Sequence, residues 1–227
     1  MPSKNNVLIS FAVFIAGLCS IVYELLISTT ATYFLGNSVK QFSLIIGIYL
    51  FAMGVGAYLS KFYKGKSLLF FGKMEYLLGL IGGISVPIMY FLFVSVSPSN
   101  MQFCTWLLIF VIGLLTGMEV PLLTYAIENS RFEDSLANVL SLDYLGGLIA
   151  TLPFPFILLP FIGLYYSSLL FGIVNIALGL FLAIKLLENK RKAILLGIIP
   201  LVILLFLMIA GNRLLNVWDM KIYKAPI

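Results

Sequence analysis

Seven stretches of mostly apolar residues recur along this chain: Val7–Thr29, Phe42–Phe62, Met74–Val96, Phe103–Ile127, Asn138–Ile162, Tyr165–Leu187 and Ala193–Ala210. A helix crosses the hydrocarbon layer with about twenty such residues. In that layer every backbone N–H and C=O has to find its partner within the protein, so these stretches are predicted to be helices. Composition agrees. Hydrophobic residues make up 62% of the 227, charged residues 10%, and mean hydropathy is +1.11. Soluble domains lie near ~45–50% apolar and ~25% charged, so a soluble or disordered chain is excluded. The fold class expected is an all-α integral membrane protein, a bundle of about seven transmembrane helices. The multi-span domain covers residues 1–211, followed by a polar tail over 212–227. The fifth span carries Pro153, Pro155 and Pro160 and is expected to be kinked, because each proline removes a helical hydrogen bond and clashes with the preceding turn. The first span is too long for a cleaved signal peptide and holds Glu24 in its second half.

The positions of Lys and Arg give an orientation. Lys4, Lys61, Lys64, Lys66, Lys73, Arg131, Lys185, Lys190, Arg191 and Lys192 fall on one side, and Lys40, Arg213, Lys221 and Lys224 on the other. The sequence therefore predicts a cytoplasmic N-terminus and the cytoplasmic (inner) membrane of a prokaryote. The lipid bilayer is the first partner expected, and nucleic acid is not one.

Histidine is absent and there are two cysteines. Ser-His and Cys-His nucleophiles, His-ligated zinc and haem, and thiolate clusters are thereby excluded. No metal site and no catalytic residue is expected in this chain. Cys19 and Cys104 read as small buried hydrophobes. Gly113 and Gly117 form a GxxxG pair, Ala52 and Gly56 repeat its spacing, and Gly79, Gly82 and Gly83 lie in the third stretch; all mark close helix packing.

Three carboxylates lie within apolar sequence: Glu24, Glu119 and Asp143. A charge at the centre of a bilayer costs ~2.5–3.5 kcal/mol on insertion scales, and no Lys or Arg lies inside a span to offset it. Glu119 and Asp143 fall at similar depths on helices joined by a short loop and are expected to share a site. Glu24 lies nearer the other end of its span. Glu75 is set aside, because it stands at the rim of the third stretch beside Lys73. Hydrogen bonds from Thr116, Thr124, Tyr144 or Asn175 are the structural alternative for these acids. The candidate substrate-binding set is Glu119, Asp143, Glu24 and Tyr144.

Around these residues the sequence resembles a known family. Val22-Tyr23-Glu24-Leu25, Tyr33-Phe34-Leu35-Gly36-Asn37-Ser38, Gly117-Met118-Glu119-Val120-Pro121-Leu122 and Leu142-Asp143-Tyr144-Leu145-Gly146-Gly147 are similar to the membrane domain of transmembrane spermidine-synthase-like proteins. So is Phe154-Pro155-Phe156-Ile157-Leu158-Leu159-Pro160. The resemblance implies a membrane domain that anchors or serves an aminopropyltransferase, with a polyamine or other cationic substrate as possible ligand. Members of that family usually continue into a soluble aminopropyltransferase domain. Decarboxylated S-adenosylmethionine would bind there, so no cofactor is expected in this chain, and residues 212–227 would form the junction. No aminopropyl transfer is expected from the chain as given. The alternative reading is a transporter-like, major-facilitator-like bundle moving a small cationic or amine solute. It rests on Gly56-Ala57-Tyr58-Leu59-Ser60-Lys61 and Lys64-Gly65-Lys66, with Ser60 where such carriers usually have an acid. A retinal receptor is disfavoured, because the seventh span has no Lys for a Schiff base.

Overall fold

The computed structural model describes residues 4–127, 132–186 and 190–224. Arg131, Leu187 and residues 225–227, which enter the expectations above, lie outside the described residues. Every regular element among the described residues is helical. The helices are α1 (Lys4–Leu35), α2 (Ser38–Ser60), α3 (Ser67–Ser95), α4 (Pro98–Ala126), α5 (Phe132–Thr151), α6 (Gly163–Leu186) and α7 (Lys190–Lys224). A 3-10 turn, Lys61–Lys66, links α2 to α3, and a π-helical segment, Phe154–Ile162, leads into α6.

Five continuous helical stretches are long and apolar enough to cross a membrane: Asn5–Leu35, Ser38–Ser95, Pro98–Ala126, Phe154–Leu186 and Lys190–Trp218. The seven expected stretches therefore do not map one to one onto these five. The second and third share one 58-residue helical run. The fifth is divided: α5 ends at Thr151, and its Pro-rich remainder becomes the wide-bore segment that feeds α6. Pro155 and Pro160 cannot donate to the α-ladder, and the wider turn absorbs the missing bonds. The expected kink is thus a change of helix type. The boundary expected at 211/212 falls inside α7. Past it, Asn212 Oδ1 accepts a 2.6 Å hydrogen bond from the Tyr166 hydroxyl, and Trp218 packs against Tyr90 and Tyr165.

The turns are encoded locally. Between α1 and α2 the chain passes through two left-handed residues, Gly36 (φ 70°) and Asn37 (φ 49°). Glycine meets no Cβ penalty there, and Asn is the side chain that best tolerates the region. Asn37 also caps α2, its Oδ1 accepting from the Lys40 N–H at 3.1 Å. Pro98 opens α4 at a position where a helix N–H has no partner in any case.

Glycines fix the helix pairs. On α4, a Cβ at Gly117 would overlap the Met53 backbone of α2, and one at Gly113 would stand 2.8 Å from the Tyr49 carbonyl oxygen. The two helices run parallel, since Gln41 pairs with Gln102 and Met53 with Gly117. Between α3 and α6 the contact is reciprocal and antiparallel, with Gly79 against Gly172 and Gly72 against Gly179. Along α1 and α5, Gly17 meets Asp143, and Gly146 meets Phe14 and Leu18. Without side chains between them, backbones approach closely and gain dispersion contacts that lipid would not replace. The GxxxG pair is thus a seam within the chain.

Candidate functional site

The bundle interior where α1, α3, α4 and α5 meet is polar. Glu119 of α4 is 2% exposed and Glu75 of α3 is fully buried. Their carboxyl groups lie next to one another, and Asp143 of α5 lies within electrostatic reach of Glu119. From the helix ends at the Lys-rich side, all three stand about 10–16 Å deep at 1.5 Å per residue. Cys19 and Tyr23 of α1, both buried, lie within reach of Glu75 and Glu119. Tyr49 of α2 closes the cluster, donating its hydroxyl to the Ser20 carbonyl oxygen at 3.1 Å.

Glycines give each group its place. Gly17 leaves room for Asp143, whose Oδ1 would stand 2.6 Å from a Cβ at that position. Gly179 of α6 faces the Glu75 Cβ, which a Cβ of its own would meet at 3.0 Å. The Tyr23 ring lies over Gly82 of α3, where a Cβ would collide with it. Larger residues at these glycines would push acid-bearing helices apart.

No other group donates to the four carboxyl oxygens of Glu75 and Glu119, which face one another, and the Tyr23 hydroxyl also lacks a partner. Acceptor faces acceptor, and no donor group answers. Leaving a buried polar atom unpaired costs ~1–3 kcal/mol, and more for a charge. Only a proton or a cation between the two acids relieves that arrangement. The four hydrogen-bonding alternatives do not supply it. Thr124 donates to the Val120 carbonyl of its own helix. Thr116 lies beside the Tyr49 hydroxyl, Asn175 has no hydrogen-bond partner, and Tyr144 is 70% exposed on the outer face of α5. Among the described residues no group of three or more His, Cys, Asp or Glu converges enough to hold a metal ion.

The structure brings Glu119 and Asp143 of the sequence-based set together. Glu24 is partly buried, within electrostatic reach of Tyr49. Tyr144, by its exposure, is turned away from the cluster. Glu75 is a correction: it is central to the site and not at a rim. Helix α3 begins at Ser67, seven residues before the predicted start, so Glu75 lies two turns inside. Lys73, two positions earlier, points to the opposite side of the helix and is exposed. The signal available was Gly72, Glu75, Gly79 and Gly82, a spacing of three and four that puts Glu75 on the tightly packed face.

A polyamine aminopropyltransferase 2 of Ralstonia nicotianae is 39% identical over 180 residues, covering 78% of this chain and 35% of its own length. This chain is similar to part of the polyamine aminopropyltransferases. The Leptospira interrogans polyamine aminopropyltransferase is 39% identical over 199 residues, which is 87% of this chain and 40% of that protein. Polyamine aminopropyltransferase 2 of Aquifex aeolicus is 33% identical over 223 residues, 96% of this chain and 44% of its own. The chain thus spans less than half the length of these curated relatives. No family model matches it, and no solved structure matches it significantly.

Proposed function

We propose that this chain is the membrane-embedded part of a polyamine aminopropyltransferase-like protein, and that Glu75, Glu119 and Asp143 bind a polyamine or a similar organic cation within the bundle. The observation that carries this reading is the buried Glu75–Glu119 pair, acceptor against acceptor with no donor, in a chain whose relatives are named for polyamine chemistry. An ammonium group would donate to the Glu75–Glu119 pair and a second one on the same flexible chain to Asp143, and attraction in a site shielded from water offsets part of the desolvation cost. The same reading takes the bundle as seven crossings with a cytoplasmic N-terminus. Support comes from the alternating helix directions seen in the glycine contacts and from the bias of basic residues. The role would then be to anchor a soluble aminopropyltransferase domain or to present substrate to it at the membrane.

The test is the melting temperature of the chain purified in detergent, with and without spermidine. Ligand at a hundred times its dissociation constant would stabilise the parent by about 2.7 kcal/mol. The Glu75→Gln/Glu119→Gln variant, which keeps shape and hydrogen bonding while removing both charges, is expected to lose most of that gain. An unshifted parent, or the same shift in the double amide, would leave this domain as an anchor without a cation site.

A further inference from the structure

A cavity lies at the Lys-rich end of the bundle, between α3, α6 and α7. It encloses about 210 Å³ and is lined by Leu69, Gly72, Lys73, Tyr76, Ala183, Lys192, Ala193 and Leu196. No acid is among these residues. Walls of Leu and Ala meet two exposed ammonium groups, one of them in the first turn of α7, where helix N–H groups add positive potential. Tyr76 is 6% exposed, its hydroxyl has no hydrogen-bond partner, and its ring is held against Gly179 and Gly197. Other lysines at this end are differently placed: Lys61 Nζ lies 3.5 Å from the centre of the Tyr58 ring, and Lys64 rests over Tyr125.

We infer that this cavity is a binding site for an anionic phospholipid, with the phosphate on Lys73 and Lys192 and the start of an acyl chain against Leu69 and Leu196. Charge complementarity selects the occupant: two cations with no acid among the described lining residues call for an anion, and the apolar walls call for one that carries hydrocarbon. Long Lys side chains reach from apolar stems to the headgroup level, which matches a cavity one to two turns inside the helix ends. The inference rests on the bundle being membrane-embedded. It does not rest on cation binding by the acids, which lie outside the lining.

Native mass spectrometry of the 227-residue chain released from detergent, with phosphatidylglycerol and phosphatidylcholine supplied at equal mole fraction, tests it. Phosphatidylglycerol is expected to bind preferentially. The Lys73→Gln/Lys192→Gln variant is expected to lose about thirtyfold in that affinity, the sum of two lysine contributions near an anionic headgroup. Lys61→Gln/Lys64→Gln serves as the control of equal charge change and is expected to keep it. Equal binding of the two lipids, an unaffected Lys73/Lys192 variant, or an equal loss in the control would overturn the site. Displacement of the lipid by inorganic phosphate would assign the lysines to a soluble anion and overturn the lipid assignment.

Discussion

Two polar pairs bridge helices in this bundle, one half-buried and one fully buried, and they are built in opposite ways. Near one end, Gln41 of α2 and Gln102 of α4 exchange hydrogen bonds, each amide nitrogen donating to the other's oxygen at 2.9 and 3.0 Å. Deeper inside, Glu75 of α3 and Glu119 of α4 bring four acceptors together with no donor. An amide carries donor and acceptor, so two amides complete one another. Two carboxyls complete one another only if a proton or a cation is added. The glutamine pair is therefore finished as structure, while the glutamate pair is finished only by something that arrives.

The contrast can be broken from either side, and the effects should differ in sign. Glu75→Gln would place an amide donor against Glu119, and a hydrogen bond to a charged group contributes ~1.5–3 kcal/mol. The ligand-free variant should accordingly be more stable than the parent in a denaturant titration in mixed micelles; destabilisation there would mean that the pair already has its counter-charge. Gln41→Leu should do the reverse, removing the half-buried exchange with Gln102 at a cost of ~0.5–1.5 kcal/mol. If the same titration shows no loss, the glutamine pair is not holding α2 to α4. A smaller effect tests whether the end of the bundle that carries the glutamines depends on its turn. Asn37→Ala removes the α2 cap, worth about 1 kcal/mol, and should lower the melting temperature by a few degrees while leaving the response to spermidine intact.

Much of this architecture can be read in the sequence, for definite physical reasons. Apolar length announces membrane-scale helices, because nothing else satisfies backbone groups in hydrocarbon. Glu119 and Asp143 stand out because apolar residues surround them on both sides. Glu75 is hidden by a neighbour: Lys73 makes the segment look like a water-facing rim, whereas the two side chains leave the helix on opposite faces. Where α3 begins is equally obscure. Ser67-Leu68-Leu69-Phe70-Phe71 follows a Lys-rich turn with no Pro or capping acid to mark the transition. Prolines flag trouble near residue 155 but do not say whether the chain bends, breaks or widens. That outcome depends on which neighbouring carbonyls can be re-bonded, a property of packing. The pairing of helices is the least legible part. Gly17 and Gly179 reveal their roles only once Asp143 and Glu75 are seen lying against them.

The α3–α6 seam has a mechanical consequence. Its glycines recur at the same interval on both helices, Gly72 and Gly79 on one and Gly172 and Gly179 on the other, so that each notch faces a notch. Sliding one helix along the other by anything short of the full interval, about 10 Å at helical rise, would drive side chains such as Ile176 into backbone. The seam behaves as a detent: where it is seated, Ile176 packs into the space at Gly79 and Tyr76 into the space at Gly179, and between seats those side chains obstruct it. Helix α3 carries Glu75 and is clamped this way from behind, so the carboxyl is indexed along the bundle axis.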